Sequence, residues 1–360
     1  MSLTRLEIDD FRCLERVSLN LDSRYNLFVG ENASGKTSLL EALFFLGRGR
    51  SFRTRRLDRL VRQGTDSFRL VGWVQLDGHQ TVLGVGGSRQ GTEIRVGGTP
   101  ASSAAALAQY FPPQIIDPDV HKLLEEGPQR RRRFLDWGVF HVEPGFMEAW
   151  QRYHRALRQR NAALRQVGNS KALAVWNPEL MTSGLRLDAM RRAYVEQLAQ
   201  PLADIGTQLL GMDITAGYSA GWAQDESFEV ALAKSVERDV KLGITHTGPH
   251  RADITIRVNG QVARERVSRG QQKLLAAALI LAQLQLQERL HPGCGVLLLD
   301  DPAAELDGNR LGRLLDVVRG LPSQLFVTSL RPELDSLGQP GAMFHVEQGA
   351  VRATAGFNPA

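Results

Sequence analysis

Eight consecutive residues, Gly30, Glu31, Asn32, Ala33, Ser34, Gly35, Lys36 and Thr37, have the types and spacing of a phosphate-binding loop. Its glycines let backbone N–H groups wrap around phosphate oxygens. The Lys36 ammonium reaches the outer phosphates of a nucleotide such as ATP, and the Thr37 hydroxyl is a ligand for Mg²⁺. Such a loop needs a carboxylate on a neighbouring strand to hold the metal. The apolar run Val296, Leu297, Leu298, Leu299 ends in Asp300 and Asp301 and supplies two. The expected division of labour puts Asp300 on Mg²⁺, directly or through water, and Asp301 beside the attacking water as its base or orienter. A third segment, Val267 to Lys273, opens a long run of helix formers some 30 residues before the acidic strand. Ser268 and Gly270 suit a helix N-cap, and by composition alone the segment is no more than that.

These groups must be held by a strand, a turn and a helix in the right order. Residues 26–29 form a short apolar run ending at Gly30, and residues 37–46 repeat with helical period up to a stop expected at Gly47. The rest of the first hundred residues reads as strands. Leu3, Leu6, Ile8 and Phe11 mark one, Val17, Leu19 and Leu21 a second, and Phe68, Leu70, Gly72, Val74 and Leu76 a third. Turn signals at Asp77-Gly78, Gly86-Gly87 and Gly97-Gly98 make this an antiparallel meander. From His121 to Lys241 glycine thins out, and apolar residues recur at helical spacing over 147–167 and 185–210. Alternation then returns at Ile254, Ile256 and Val258 before an Asn259-Gly260 hairpin turn. Residues 270–289 read as helix, and 295–300 and 324–328 as buried strands. The expected fold class is therefore α/β: a mixed β-sheet with helices around the loop, an antiparallel β-subdomain and an inserted helical lobe. The expected domains are 1–120 with 242–360, interrupted by the lobe at 121–241.

The 360 residues are 42% hydrophobic and 23% charged, which suits a globular chain and excludes a wholly disordered one. No window approaches the roughly 18 uninterrupted apolar residues of a membrane helix. Met1 to Arg12 has no apolar core of an export signal, so the expected location is the cytoplasm. Cys13 and Cys294 have no partners at metal-ligand spacing. His246 and His250 are separated by Gly248 and Pro249, which keeps the pair off one helix face and argues against zinc.

The net charge is small, 44 − 39 = +5, but its placement is uneven. Arg48, Arg50, Arg53, Arg55, Arg56, Arg59 and Arg62 face a single acid, Asp58. Residues 130–133 are all arginine, and residues 149–178 carry Arg152, Arg155, Arg158, Arg160 and Arg165 with no acid. Clusters of this kind point to a polyanion. The first block follows the phosphate-loop helix so closely that the helix is expected to carry it, as a DNA surface.

A phosphate loop, then S-x-G-Q, then four apolar residues and D-D-P-x-x-x-L-D (Asp300, Asp301, Pro302, Leu306, Asp307) is the order found in ABC-type ATPases. Within them the chain resembles the SMC and RecF branch, which works on DNA. The resemblance to the RecF family is carried by G-E-N-A-S-G-K-T-S-L-L-E-A (30–42), P-Q-x-I-x-x-P-D (113–119), E-G-P-Q-R-R-R-R-F-L-D-W (126–137), H-x-E-P-G-F (141–146), Q-R-N-A-A-L (159–164), T-G-P-H-R-A-D (247–253) and S-R-G-Q-Q-K (268–273). These segments span nearly the whole chain.

The resemblance implies an ABC-type ATPase head. Gln114 would be the Q-loop residue that contacts Mg²⁺, and Ser268, Arg269, Gly270 and Gln271 the signature that reaches the γ-phosphate held by the other subunit. Asp301 stands where transporters usually have Glu, and Ser329 where they usually have the switch histidine, which implies a slow ATPase. The family further implies an ATP-induced homodimer on gapped or single-strand/double-strand junction DNA, with RecR as direct partner. RecO and RecA would be engaged indirectly, the outcome being RecA loading in repair and replication. Two rivals share the nucleotide motifs: the ATPase subunit of a transporter and an SMC-like structural head. The first has no use for three arginine blocks. The second would carry long heptad arms, and the roughly 230 residues between Lys36 and Ser268 show no sustained heptad.

Overall fold

In a computed structural model, which describes residues 1–166, 170–332 and 334–354, the alternating start folds as a hairpin of β1 (Ser2–Phe11) and β2 (Leu14–Asn20). Leu3 and Leu6 are both buried although three positions apart, because a register shift between Leu3 and Arg5 takes up the odd residue. There follow β3 (Tyr25–Val29), α1 (Lys36–Arg48), β4 (Ser67–Leu76), β5 (His79–Ser88), β6 (Gly91–Val96), β7 (Thr99–Pro100), α2 (Ala105–Tyr110) and β8 (Pro113–Ile116). The next stretch holds α3 (Lys122–Glu125), α4 (Pro128–Val142), α5 (Phe146–Leu164), α6 (Ser170–Leu210), β9 (Ile214–Ser219), α7 (Phe228–Leu242), β10 (Asp253–Val258), β11 (Gln261–Val262) and α8 (Ala263–Arg266). The chain closes with α9 (Arg269–Leu290), β12 (Val296–Leu299), α10 (Pro302–Glu305), α11 (Gly308–Gly320), β13 (Gln324–Ser329), β14 (Ala342–Glu347) and β15 (Ala350–Ala353). Val167, the expected end of the first lobe helix, lies outside the described residues.

Two compact units result, Met1–Val120 with Ala277–Ala360, and His121–Ala276. In the first, an antiparallel sheet runs β2-β1-β4-β5-β6-β7. A second sheet runs β15-β14-β3-β13-β12-β8, parallel throughout except for the β14–β15 hairpin. Its central strands are apolar on both faces, as buried parallel strands must be. α1 is apolar nearly all round and is buried with residues of both sheets; Phe45 and Phe11 set their rings edge-on against Phe68 at 5.3 and 5.0 Å. The helix does not stop at Gly47. That glycine is inside α1 because a side chain there would meet the Phe111 carbonyl and Pro113, and the stop is Gly49, in the left-handed region at φ 60.

The second compact unit runs past the expected lobe end at 241, to Ala276. β10 pairs along its whole length with β9, which places residues 242–276 in the same compact unit as the helices. The inserted lobe is therefore helices plus a three-stranded sheet, β11-β10-β9. The Asn259-Gly260 turn forms where expected, both residues at positive φ (48 and 77). Arg160, counted among the surface arginines by its spacing, is fully buried: its Nη1 donates to Asp239 at 2.8 Å and to Thr245 at 2.6 Å, and its Nε to Asn177 at 2.9 Å.

His250 sits in the same unit, with one ring nitrogen 2.7 Å from the Tyr153 hydroxyl and the other 2.8 Å from the Thr245 carbonyl. That environment fits a neutral ring, and burial pushes its pKa from 6.5 down to about 4. An unfolded chain takes up this proton near pH 6.5 while the folded one does not. The histidine's contribution is therefore complete above pH 6.5 and is lost as pH falls toward 4, by roughly 3 kcal/mol at most. Chemical denaturation of the parent and a His250→Gln variant between pH 7.5 and 4 should show a steeper loss of stability in the parent. Parallel curves would remove the histidine from the account.

Candidate functional site

β3 ends at Val29 in the middle of the parallel sheet, and the loop 30–35 carries the chain straight into α1. Gly35 sits at φ 116, which a side chain would strain, and it turns the loop so that Lys36 and Thr37 open the helix at its positive end. The Lys36 ammonium folds back onto the loop, donating to the carbonyls of Gly30 at 2.6 Å and Glu31 at 2.8 Å. Burial lowers its pKa, with Asp301 and Asp300 pulling the other way.

The parallel pairing of β12 with β13 and of β13 with β3 brings Asp300 to the same end of the sheet. The Thr37 hydroxyl lies 3.1 and 3.0 Å from the two Asp300 oxygens, and Thr328 at the end of β13 donates to Asp300 Oδ1 at 2.9 Å. Burial raises the Asp300 pKa, while these two hydroxyls and the charges of Arg53 and Lys36 hold the carboxylate form. Asp301 follows in the left-handed region at φ 45, its N–H donating to Thr328 Oγ1 at 2.9 Å. A hydroxyl beside a carboxylate is a hard-oxygen donor pair of the kind Mg²⁺ takes. The buried Ser34 Oγ and Gln114 Nε2 have no hydrogen-bond partner among the described residues. Ser34 lies in the loop itself, and Gln114 is on β8, the strand next to β12.

Ser268, Arg269, Gly270 and Gln271 belong to the other unit. They form a capping box at the start of α9: Gln271 Oε1 accepts from the Ser268 N–H at 2.9 Å, and Ser268 Oγ from the Gln271 N–H at 3.4 Å. Ser268 and Arg269 are exposed. The arginine block departs from expectation. α1 ends at Arg48, so the other six residues lie on the irregular segment after it rather than on a helix face. Arg48 itself turns inward, with Nε donating to the Pro113 carbonyl at 2.9 Å and the guanidinium 5.2 Å from the Phe44 ring. Arg56 grips Asp58 through two bonds of 3.1 and 2.6 Å, and Arg62 is tied to Glu15 at 2.6 Å. Arg50 is exposed. Arg53, Arg55 and Arg59 are exposed too, and Arg55 and Arg59 make no ion pair among the described residues.

The RecF/RecN/SMC N-terminal domain profile matches residues 2–351. The chain is 43% identical over 362 residues to the DNA replication and repair protein RecF of Pseudomonas paraeruginosa, covering 98% of each chain. It is 41% identical over 355 residues to that of Cronobacter sakazakii, covering 98% of this chain and 99% of the relative. This chain belongs to the RecF family. A solved structure of the recombination mediator protein RecF with ATP, from the RecFOR pathway, superposes with a TM-score of 0.88 at 28% identity over 98% of both chains. An SMC head bound to the C-terminal winged-helix domain of ScpA shares the fold at 16% identity and a TM-score of 0.59, over 98% of both chains. The RecF-family chain thus has the ABC-type ATPase head. Among its described residues no helix is long and apolar enough to cross a membrane.

One residue of this RecF-family site, Thr328, and a buried pair outside it, Arg12 with Glu41, escaped the motif reading. Thr328 bridges Asp300 and the Asp301 backbone, but a threonine at the end of a buried strand has no local signal. Glu41 is fully buried and receives both Nε and Nη2 of Arg12 at 2.9 and 2.7 Å. Its signal was present in the sequence: it is the single charged residue in the apolar stretch 38–46.

Proposed function

We propose that the chain is an ATP-dependent, DNA-binding recombination mediator of the cytoplasm that binds gapped or single-strand/double-strand junction DNA as an ATP-induced homodimer. With RecR as direct partner, and RecO and RecA engaged indirectly, it promotes RecA loading in DNA repair and replication. The observation that carries the nucleotide part is the convergence of Thr37 and Asp300 at the mouth of a loop whose lysine is already inside it. The unpartnered Ser34 and Gln114 groups suit a polar ligand there, and the hydroxyl–carboxylate pair suits Mg²⁺. When bound, Mg²⁺ would supply charge neutralisation at the outer phosphate oxygens.

The chain's own residues do the rest. Lys36 exchanges its two carbonyl partners for phosphate oxygens, and Thr37 and Asp300 hold the metal side. Gln114 fills the polar corner beside β12, and Asp301 orients a water and accepts its proton. Ser268, Arg269, Gly270 and Gln271 of one copy face the phosphates held by the other copy, so the site is complete only in the pair. Hydrolysis is slow because Asp301 is shorter than a glutamate and Ser329 provides no base. The DNA part is supported by the exposed arginines of the 49–62 segment, by family membership and by the naming of its relatives as replication and repair proteins.

Arg55 and Arg59 are the pair to test, since both are exposed and neither makes an ion pair among the described residues. Replacing both with Ala should flatten the log–log salt dependence of gapped-duplex binding by about two units if each meets a phosphate. Affinity should fall about equally for all sequences, and ATP binding should stay as in the parent. A parental salt slope would move the DNA contact to the helical unit, where Arg155 and Arg158 are exposed and free of ion pairs among the described residues.

A further inference from the structure

We infer that Glu41 is a positioning residue: through one buried carboxylate it ties the arginine-bearing segment 49–62 to the nucleotide helix, so that the grip on DNA follows the nucleotide state. The inference rests on the function proposed above.

Glu41 lies four residues after Thr37, on the same face of α1 and about 6 Å further along its axis. Its carboxylate is fully buried in a helix that is otherwise apolar on nearly every side. It collects three groups. The Arg12 guanidinium grips it with two bonds, the Ser51 hydroxyl donates to Oε1 at 2.5 Å, and Arg53 Nη1 lies 3.7 Å away.

Each of these partners leads into the same segment. Ser51 Oγ accepts the N–H groups of Arg53 at 2.9 Å and Thr54 at 3.0 Å, which fixes the start of the segment. Arg12, at φ 59 in the turn between β1 and β2, gives its Nη1 to the Arg59 carbonyl at 2.8 Å and its N–H to the Leu60 carbonyl at 2.7 Å. The Arg62 N–H then bonds the Asp10 carbonyl at 2.8 Å, which fixes the end. Between these anchors stand the exposed arginines 53, 55, 56 and 59.

Stability alone gives little reason for this arrangement. A buried ion pair contributes weakly compared with well-packed apolar residues of similar size, and an apolar side chain would match the rest of α1. What the charge provides is location. The carboxylate and its fork-shaped partner admit one geometry of the segment, and they sit one helical turn from the residues that meet the phosphates and the metal.

Glu41→Gln keeps the shape and removes the charge; Arg12→Lys keeps the charge and removes the fork. Each is read by three measurements on the full chain. Amide hydrogen exchange without nucleotide reports residues 50–62, titration with an ATP analogue reports the nucleotide site, and gapped-duplex binding is measured with and without Mg-ATP. Exchange in the segment should speed up at least about tenfold, analogue affinity should stay within about threefold, and the ATP-driven gain in DNA affinity should fall about tenfold. Parental exchange and a parental gain in both variants would overturn the inference. So would parallel losses of analogue and DNA binding in both variants, which mark a general weakening of the fold. A parent whose DNA binding ignores ATP, with exchange in 50–62 still raised in the variants, would count instead against the proposed function.

Discussion

Lys36→Met should cost at least a hundredfold in affinity for a fluorescent ATP analogue, about 3 kcal/mol. The side chain is already inside the loop, 2.6 and 2.8 Å from the carbonyls it must trade for phosphate oxygens, so little reorganisation separates it from its ligand. Methionine matches its length but carries neither the charge nor the donors. The fold should survive, since the change removes a buried cation whose charge burial already disfavours. An unchanged melting temperature with lost analogue binding is the expected pair of results. Parental analogue binding would show that the loop does not hold the phosphates.

The second large effect is on turnover. Asp301→Asn should leave analogue binding close to the parental value and slow phosphate release in a single turnover by about 10²- to 10³-fold. Asparagine is one of the few residues that accepts the left-handed backbone found at position 301, and the Asp301 N–H bond to Thr328 does not involve the side chain. The change therefore leaves the backbone at position 301 in place and removes the carboxylate charge proposed to accept the water's proton. A parental rate would pass the role to Asp300. Asp307, the other acid of the motif, accepts the Arg310 N–H at 3.0 Å as the cap of α11 and is already engaged.

What could be read in advance was whatever is written locally. The apolar run into Gly30, the helix after Thr37, the two strands before Asp301 and after Ser323, and the Asn-Gly turn each carry their period and turn chemistry in a few residues. The misread features depend on partners remote in sequence. Gly47 looks like a helix stop and is a contact with Phe111. β9 and β10 are 33 residues apart from the end of one to the start of the other, and their pairing draws residues 242–276 into the helical unit. Arg160 has the spacing of a surface arginine, and Asp239, 79 residues on, makes it a core residue. The candidate site divides the same way. Loop, lysine, threonine and acids were legible because their spacing is the chemistry. Thr328 and the partner of Glu41 were not: a lone acid in an apolar helix is visible in the sequence, but Arg12 meets it only once the β1–β2 turn is in place, and Thr328 meets Asp300 only once β13 is.

A nucleotide in the loop is expected to make two copies associate on DNA, and sedimentation velocity reads that association. The parent should run as a monomer without nucleotide and as a dimer with Mg-ATP, and the dimer should carry a gapped duplex with it. Lys36→Met should remain a monomer throughout. A parent whose sedimentation is the same with and without Mg-ATP, or a Lys36→Met variant that dimerises as the parent does, would contradict the account.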